Sequence, residues 1–85
     1  MIPRIKYLEP LPDFHLLVTF DDGKTVDYDV GEDIRTIPSY QPLMTVWRLF
    51  DHVQLDQSRT CVFWTNEIDL PSDTIYEYGK EVYMA

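Results

Sequence analysis

Carboxylates are the most abundant side chains capable of chemistry in this chain, and they gather in two stretches. Asp21, Asp22, Asp27 and Asp29 crowd one segment. A hard cation such as Ca²⁺ takes about six or more oxygen ligands, and clustered carboxylates supply some of them. The spacing is not that of a calcium-binding loop, which needs ligands at fixed alternate positions and a closing Glu. A solvated strand face and turn explains the same acids. Glu67, Asp69, Asp73 and Glu77 form the second stretch, where paired carboxylates could exchange protons with a substrate. Asp73 is equally explained by the attraction of an acid to a helix start.

Histidine and cysteine offer less. His15, His52 and Cys61 are the only such residues. A tetrahedral zinc site takes roughly three or four nitrogen and sulfur ligands at paired spacings, which this set lacks. Cys61 with His52 would make a thiolate pair only if the fold joined them, and no orienting group converges on them by sequence. Cys61 stands beside Val62 and Phe63, the setting of a small buried hydrophobe. No glycine-rich phosphate loop, serine elbow or metalloprotease motif occurs. No catalytic residue, metal or cofactor is therefore assigned.

Aromatic side chains are the remaining signal, at 14% of the chain. A domain of this size buries only about 60–65% of its unfolded surface, so it has little room for large rings. Tyr and Trp gather area at binding surfaces at low entropic cost. Tyr40, Trp47, Trp64, Tyr76 and Tyr78 are the candidate partner contacts, with Asp27 and Asp29 as electrostatic steerers. Core packing is the competing explanation, above all for Trp47. Fifteen acids against 7 bases give a net charge of −8. That balance disfavours direct nucleic-acid binding, which needs clustered Lys and Arg, and favours a basic protein partner.

These residues must be positioned by 85 residues forming a single domain, 1–85, with its core over about 3–79 and a loose tail over 80–85. Ile5 and Tyr7 start a strand that Pro10 and Pro12 should end. Phe14, Leu16, Val18 and Phe20, then Val26, Tyr28 and Val30, alternate with period two around Asp21-Asp22-Gly23-Lys24. This predicts a hairpin with Gly23 at a left-handed position. Asp33, Ile34 and Ile37 suggest one short helical turn. Leu43, Val46, Trp47 and Phe50 fall at i, i+3, i+4 and i+7 behind Pro42, which predicts a helix ending near Asp51. Val53 and Leu55 give a fourth strand. Cys61 to Trp64 give a fifth, apolar on both sides and so either covered on both faces or set at an interface. Ser72 is placed to cap a last helix that Gly79 ends. The result is an α+β domain: an antiparallel meander sheet of about five strands, with one or two short helices packed on one face.

Several of these segments form a recognisable set. They are Pro3-Arg4-Ile5, Leu16 through Gly23, Trp64 with Asn66, and Asp69 through Gly79. Over about residues 3 to 79 the chain resembles domain-of-unknown-function family 2442, a group of small bacterial proteins. The resemblance implies a small α+β sheet domain without established catalytic residues. Some relatives carry a following helix-turn-helix, for which this chain has no second long helix. Others sit beside a second small protein in a pattern similar to toxin–antitoxin pairs. Glu67 stands where relatives often have Gly, so this loop is expected to use another turn type.

Three functions remain. The favoured one is a non-catalytic protein-interaction or regulatory module, antitoxin-like in its concrete form. The alternatives are a small-ligand or metal-binding protein or enzyme using a carboxylate cluster, and a homodimeric regulatory domain pairing through edge strands. The lone cysteine and the absence of a long apolar run predict a reduced, cytoplasmic setting with no membrane contact.

Overall fold

Two short antiparallel sheets share one apolar core. The computed structural model describes residues 2–83. The first sheet holds β1 (Ile5–Leu11), β2 (His15–Phe20), β3 (Thr25–Asp29) and β7 (Lys80–Glu81), in the order β1-β2-β3-β7. The second holds β4 (Gln54–Leu55), β5 (Cys61–Thr65) and β6 (Ile68–Pro71) in that order. Three helices complete the chain: α1 (Val30–Thr36), α2 (Pro42–Thr45) and α3 (Ser72–Tyr78). The α+β class is as expected, but the single five-stranded meander is not. The chain has two strands beyond the expected five, β6 and β7, and divides into a four-stranded and a three-stranded sheet.

The β2–β3 hairpin follows its alternation. Leu16, Val18, Phe20, Val26 and Tyr28 point into the core, while His15, Leu17, Asp27 and Asp29 face outward. Gly23 adopts φ 94°, and the turn closes through the Phe20 N–H to the Lys24 carbonyl at 2.8 Å. Pro10 does not end β1, which runs to Leu11 opposite His15. It is tolerated there because β1 is an edge strand, where a missing donor costs no ladder bond. Val30 leaves the strand pattern and begins α1, because Asp29 caps that helix by accepting from the Glu32 N–H.

The helix expected over Pro42–Asp51 is the largest departure. Only Pro42–Thr45 is α-helical, with a separate 3-10 turn over Phe50–His52; between them Val46 is extended and Arg48 adopts φ 62°. Thr45, Val46 and Trp47 are three weak helix formers in a row, and no residue here caps a longer helix. Leu43 and Phe50 reach the core from separate turns, so their spacing of seven mimicked one helical face.

Strand β5 is also covered on one face only: Val62 and Trp64 are buried, whereas Cys61 and Phe63 are half-exposed. Neither Asn66 nor Glu67 has a positive φ, so Glu67 takes its place without left-handed strain. Ser72 does not cap α3. Its hydroxyl instead donates to the Pro3 carbonyl at 2.6 Å, tying the chain's beginning to α3. Gly79 ends α3 with φ −69°, so its requirement is space, not a left-handed turn: a Cβ there would lie 2.6 Å from the Ile75 carbonyl. Within the expected loose tail, Lys80 and Glu81 pair with Asp27 and Val26 as β7. Residues 84–85 of that tail lie outside the described residues.

The two sheets are joined at their ends. The Ile5 N–H donates to the Arg59 carbonyl at 2.7 Å, and the Arg59 guanidinium donates back to the Ile5 carbonyl at 3.3 Å. Ile75 of α3 is fully buried, and Tyr76 meets Phe20 edge-on at 4.9 Å.

Candidate docking site

The aromatic candidates separate into three groups. Tyr40 and Trp64 are buried, which removes them as partner contacts of the folded chain. The Tyr40 hydroxyl donates to the Asp69 carbonyl on the outer side of β6, and burial lifts its pKa to about 12. The Trp64 indole N–H donates to the Phe50 carbonyl at 3.0 Å, and its ring stacks on Phe50 at 5.7 Å. Both are large rings with a polar tip, and each tip is satisfied by a backbone carbonyl inside the fold. Tyr76 is half-buried. Trp47 and Tyr78 are the exposed members of the set, at 86% and 72%.

Trp47 is not alone. Its neighbours Met44 and Val46 are also exposed, and they border a notch of about 290 Å³. The opposite wall is the turn Pro12-Asp13-Phe14, and Phe50 lines the notch between them. Phe14 meets Phe50 edge-on at 5.4 Å, which anchors that wall to the core. Asp13, Phe14 and Arg48 all have left-handed backbones, with φ between 62° and 64°. Such a conformation costs a non-glycine residue of order 1 kcal/mol or more and concentrates at functional sites. Arg59 is the fourth such residue among those described, and it lies elsewhere. The Arg48 guanidinium lies 5.5 Å from the Trp47 ring centre and 3.7 Å from the Asp51 carboxylate.

The steering acids are less free than the sequence implied. The His15 Nδ1–H donates to Asp27 at 2.6 Å, and His15 Nε2 lies 3.7 Å from Asp29. The donor must be the imidazole, because an ionised carboxylate only accepts. The Asp27 bond raises the His15 pKa above its ordinary 6.5, with Asp29 and Asp13 adding to the effect against burial. Asp29 is also the cap of α1.

A larger open groove of about 1200 Å³ runs between residues 2–4, the β2–β3 turn and α3. Three of its six charged residues, Asp21, Asp22 and Lys24, have partners elsewhere in the fold. Arg59 grips Asp21 with two hydrogen bonds of 2.8 and 2.9 Å, and this pair lowers the Asp21 pKa. The Tyr76 hydroxyl donates to Asp22 at 2.7 Å and holds its carboxyl below the usual range. Lys24 donates to the Tyr76 carbonyl and lies 4.0 Å from that ring's centre. The smaller notch carries three exposed large apolar side chains, Met44, Val46 and Trp47, against one, Ile2, in this groove.

Burial raises the Cys61 pKa, which favours the thiol over a nucleophilic thiolate. Among the described residues, no three His, Cys, Asp or Glu side chains gather as a metal site. No helix among them is long and apolar enough to cross a membrane. Sequence reasoning missed Phe14, Met44 and Val46 as site residues. The weak helix formers around Val46 were a usable signal, as was Asp13, whose residue type tolerates a left-handed backbone; nothing in the sequence marks Phe14 as left-handed.

Fold and site together define a small α+β domain of two antiparallel sheets with an apolar notch on its surface. The family model described as protein of unknown function (DUF2442) matches residues 5–81, and the chain belongs to that family. No curated protein and no solved structure matches it.

Proposed function

We propose that this protein is a non-catalytic interaction module that docks a basic protein over Met44, Val46 and Trp47. The observation that carries this reading is the notch itself: three neighbouring exposed apolar side chains, held by a backbone strained on both walls. Contiguous apolar surface of this kind marks interaction sites on monomeric proteins, and strained backbone persists where something other than stability favours it. The net charge of −8 supports a partner of opposite sign, which it would attract over long range. The resemblance to proteins encoded beside a second small protein supports an antitoxin-like version, in which the module masks that neighbour in the bacterial cytoplasm.

Co-expression with the product of the adjacent gene, purified at low and high salt, tests this. The partner is expected to co-purify, more strongly at low salt, and to be lost with Trp47→Ser while the variant stays folded. Failure to co-purify at either salt argues against the module.

A further inference from the structure

We infer that the notch receives a short basic–apolar segment, with one aliphatic or aromatic side chain seated against Phe14 and Phe50 and a flanking Lys or Arg beside Trp47 and Asp13. This deepens the docking reading above and rests on it. Size is the first argument. At about 290 Å³ the notch falls at the lower limit of small-molecule pockets, and it is open, so it suits one side chain of a chain lying across it. Its lining gives the seat its apolar character, from Leu11, Leu43 and Phe50 below to Met44 and Val46 at the rim.

Charge is the second argument. Three ionic groups line the notch: Asp13, Arg48 and Asp51. Arg48 and Asp51 pair with each other at 3.7 Å. Asp13 belongs to the opposite wall and forms no salt bridge among the described residues. The surplus charge at the notch is therefore one carboxylate, on a molecule already strongly negative. An acidic segment would meet repulsion from both. A cation that reaches Asp13 passes the Trp47 indole, which is 86% exposed and already carries the Arg48 guanidinium 5.5 Å from its ring centre, so the ring is placed to hold a cation. Another copy of this chain would bring its own negative charge and is disfavoured for the same reason.

Three amidated 12-residue peptides serve as probes: alternating Leu/Lys, alternating Leu/Glu, and all-Lys. The readout is two-dimensional ¹H–¹⁵N NMR, in which the Trp47 and Trp64 indole N–H groups give separate signals. The Leu/Lys peptide should shift the Trp47 indole and the amides of Met44, Val46 and Phe14, and leave the Trp64 indole in place. Asp13→Asn should weaken that binding about two- to fivefold, the range of an exposed ion pair, and added salt should weaken it further. Val46→Ser with Trp47→Ser should abolish it.

Equal binding of the Leu/Glu peptide at the notch overturns the basic chemistry, here and for the partner proposed above, and leaves only the place of docking standing. Equal binding of the all-Lys peptide overturns the apolar seat. Shifts confined to the groove around Asp21 and Asp73, or no shift with any peptide, overturn the inference altogether. The docking reading is judged separately, by whether Trp47→Ser releases the co-expressed partner.

Discussion

The two tryptophans make the sharpest test, because the structure assigns them opposite roles. Trp64 is 6% exposed and Trp47 is 86% exposed. A fully buried aromatic removes up to about 250 Å² from water. At about 25 cal/mol per Å², Trp64 is worth close to 6 kcal/mol as an upper limit, since real unfolded chains already bury part of that area. Measured Trp→Ala changes in cores cost about 3–5 kcal/mol. Trp64→Ala would also orphan the Phe50 carbonyl that its indole satisfies. Trp47 has only the small remainder of its area to lose, less than about 1 kcal/mol on the same scale. Small domains have about 5–15 kcal/mol in total, so Trp64→Ala should leave the chain marginal or unfolded while Trp47→Ala unfolds near wild type. Urea titration followed by far-ultraviolet circular dichroism measures both without depending on the deleted fluorophore. A loss above about 2 kcal/mol for Trp47→Ala, or below about 1 kcal/mol for Trp64→Ala, would refute the packing described here. The same measurement licenses Trp47 variants as binding probes, since a variant that keeps its stability loses only surface.

Two further outcomes follow from named contacts. The folded His15 binds its proton more tightly than the unfolded histidine, whose ordinary value is 6.5, because Asp27 hydrogen-bonds the charged ring. Its stabilisation is therefore complete below the unfolded value and is lost as pH rises through the raised folded value. Denaturant titrations at pH 6 and 8 should show that loss in the wild type and not in His15→Gln; an NMR midpoint for His15 at or below 6.5 would contradict it. Gly79→Ala should cost about 1–3 kcal/mol, since the added methyl would stand 2.6 Å from the Ile75 carbonyl and 2.8 Å from Val26. An unchanged melting temperature would show that α3 moves aside.

How far the sequence exposes this fold depends on where each residue's conformation is decided. The β2–β3 hairpin is decided locally: the period-two run from Leu16 to Tyr28 turns about Gly23, a residue without a Cβ to oppose φ 94°. Strand β6 is local, pairing with β5 across Asn66-Glu67, but with only Ile68 and Leu70 buried it offers two apolar positions to read; strand β7 is decided by a distant partner. Glu81 pairs with Val26, a residue far away in sequence, and a two-residue strand leaves no period to read. Pro42–Asp51 is a conflict between levels. Its spacing matches a helical stripe, while Thr45, Val46 and Trp47 individually resist helix, and Arg48 breaks it with a left-handed backbone. Periodicity reports which residues are apolar; it does not report that Leu43 and Phe50 enter the core while Val46 and Trp47 leave it.

That conflict bears directly on the candidate site. A continuous helix over Pro42–Asp51 would have carried Val46 and Trp47 on the same stripe as the buried Leu43 and Phe50. Breaking it after Thr45 turns these two side chains outward instead, and left-handed Arg48 fixes the new direction. The opposite wall is built the same way: Asp13 and Phe14 interrupt the edge between β1 and β2, and Phe14 is pinned on Phe50 rather than continuing the strand. Each wall thus gives up regular structure that its sequence period favours. Consistent local preferences favour folding, so departures from them concentrate where a surface serves another purpose. On this protein both departures face one notch, and its exposed indole stands where a longer helix would have buried it.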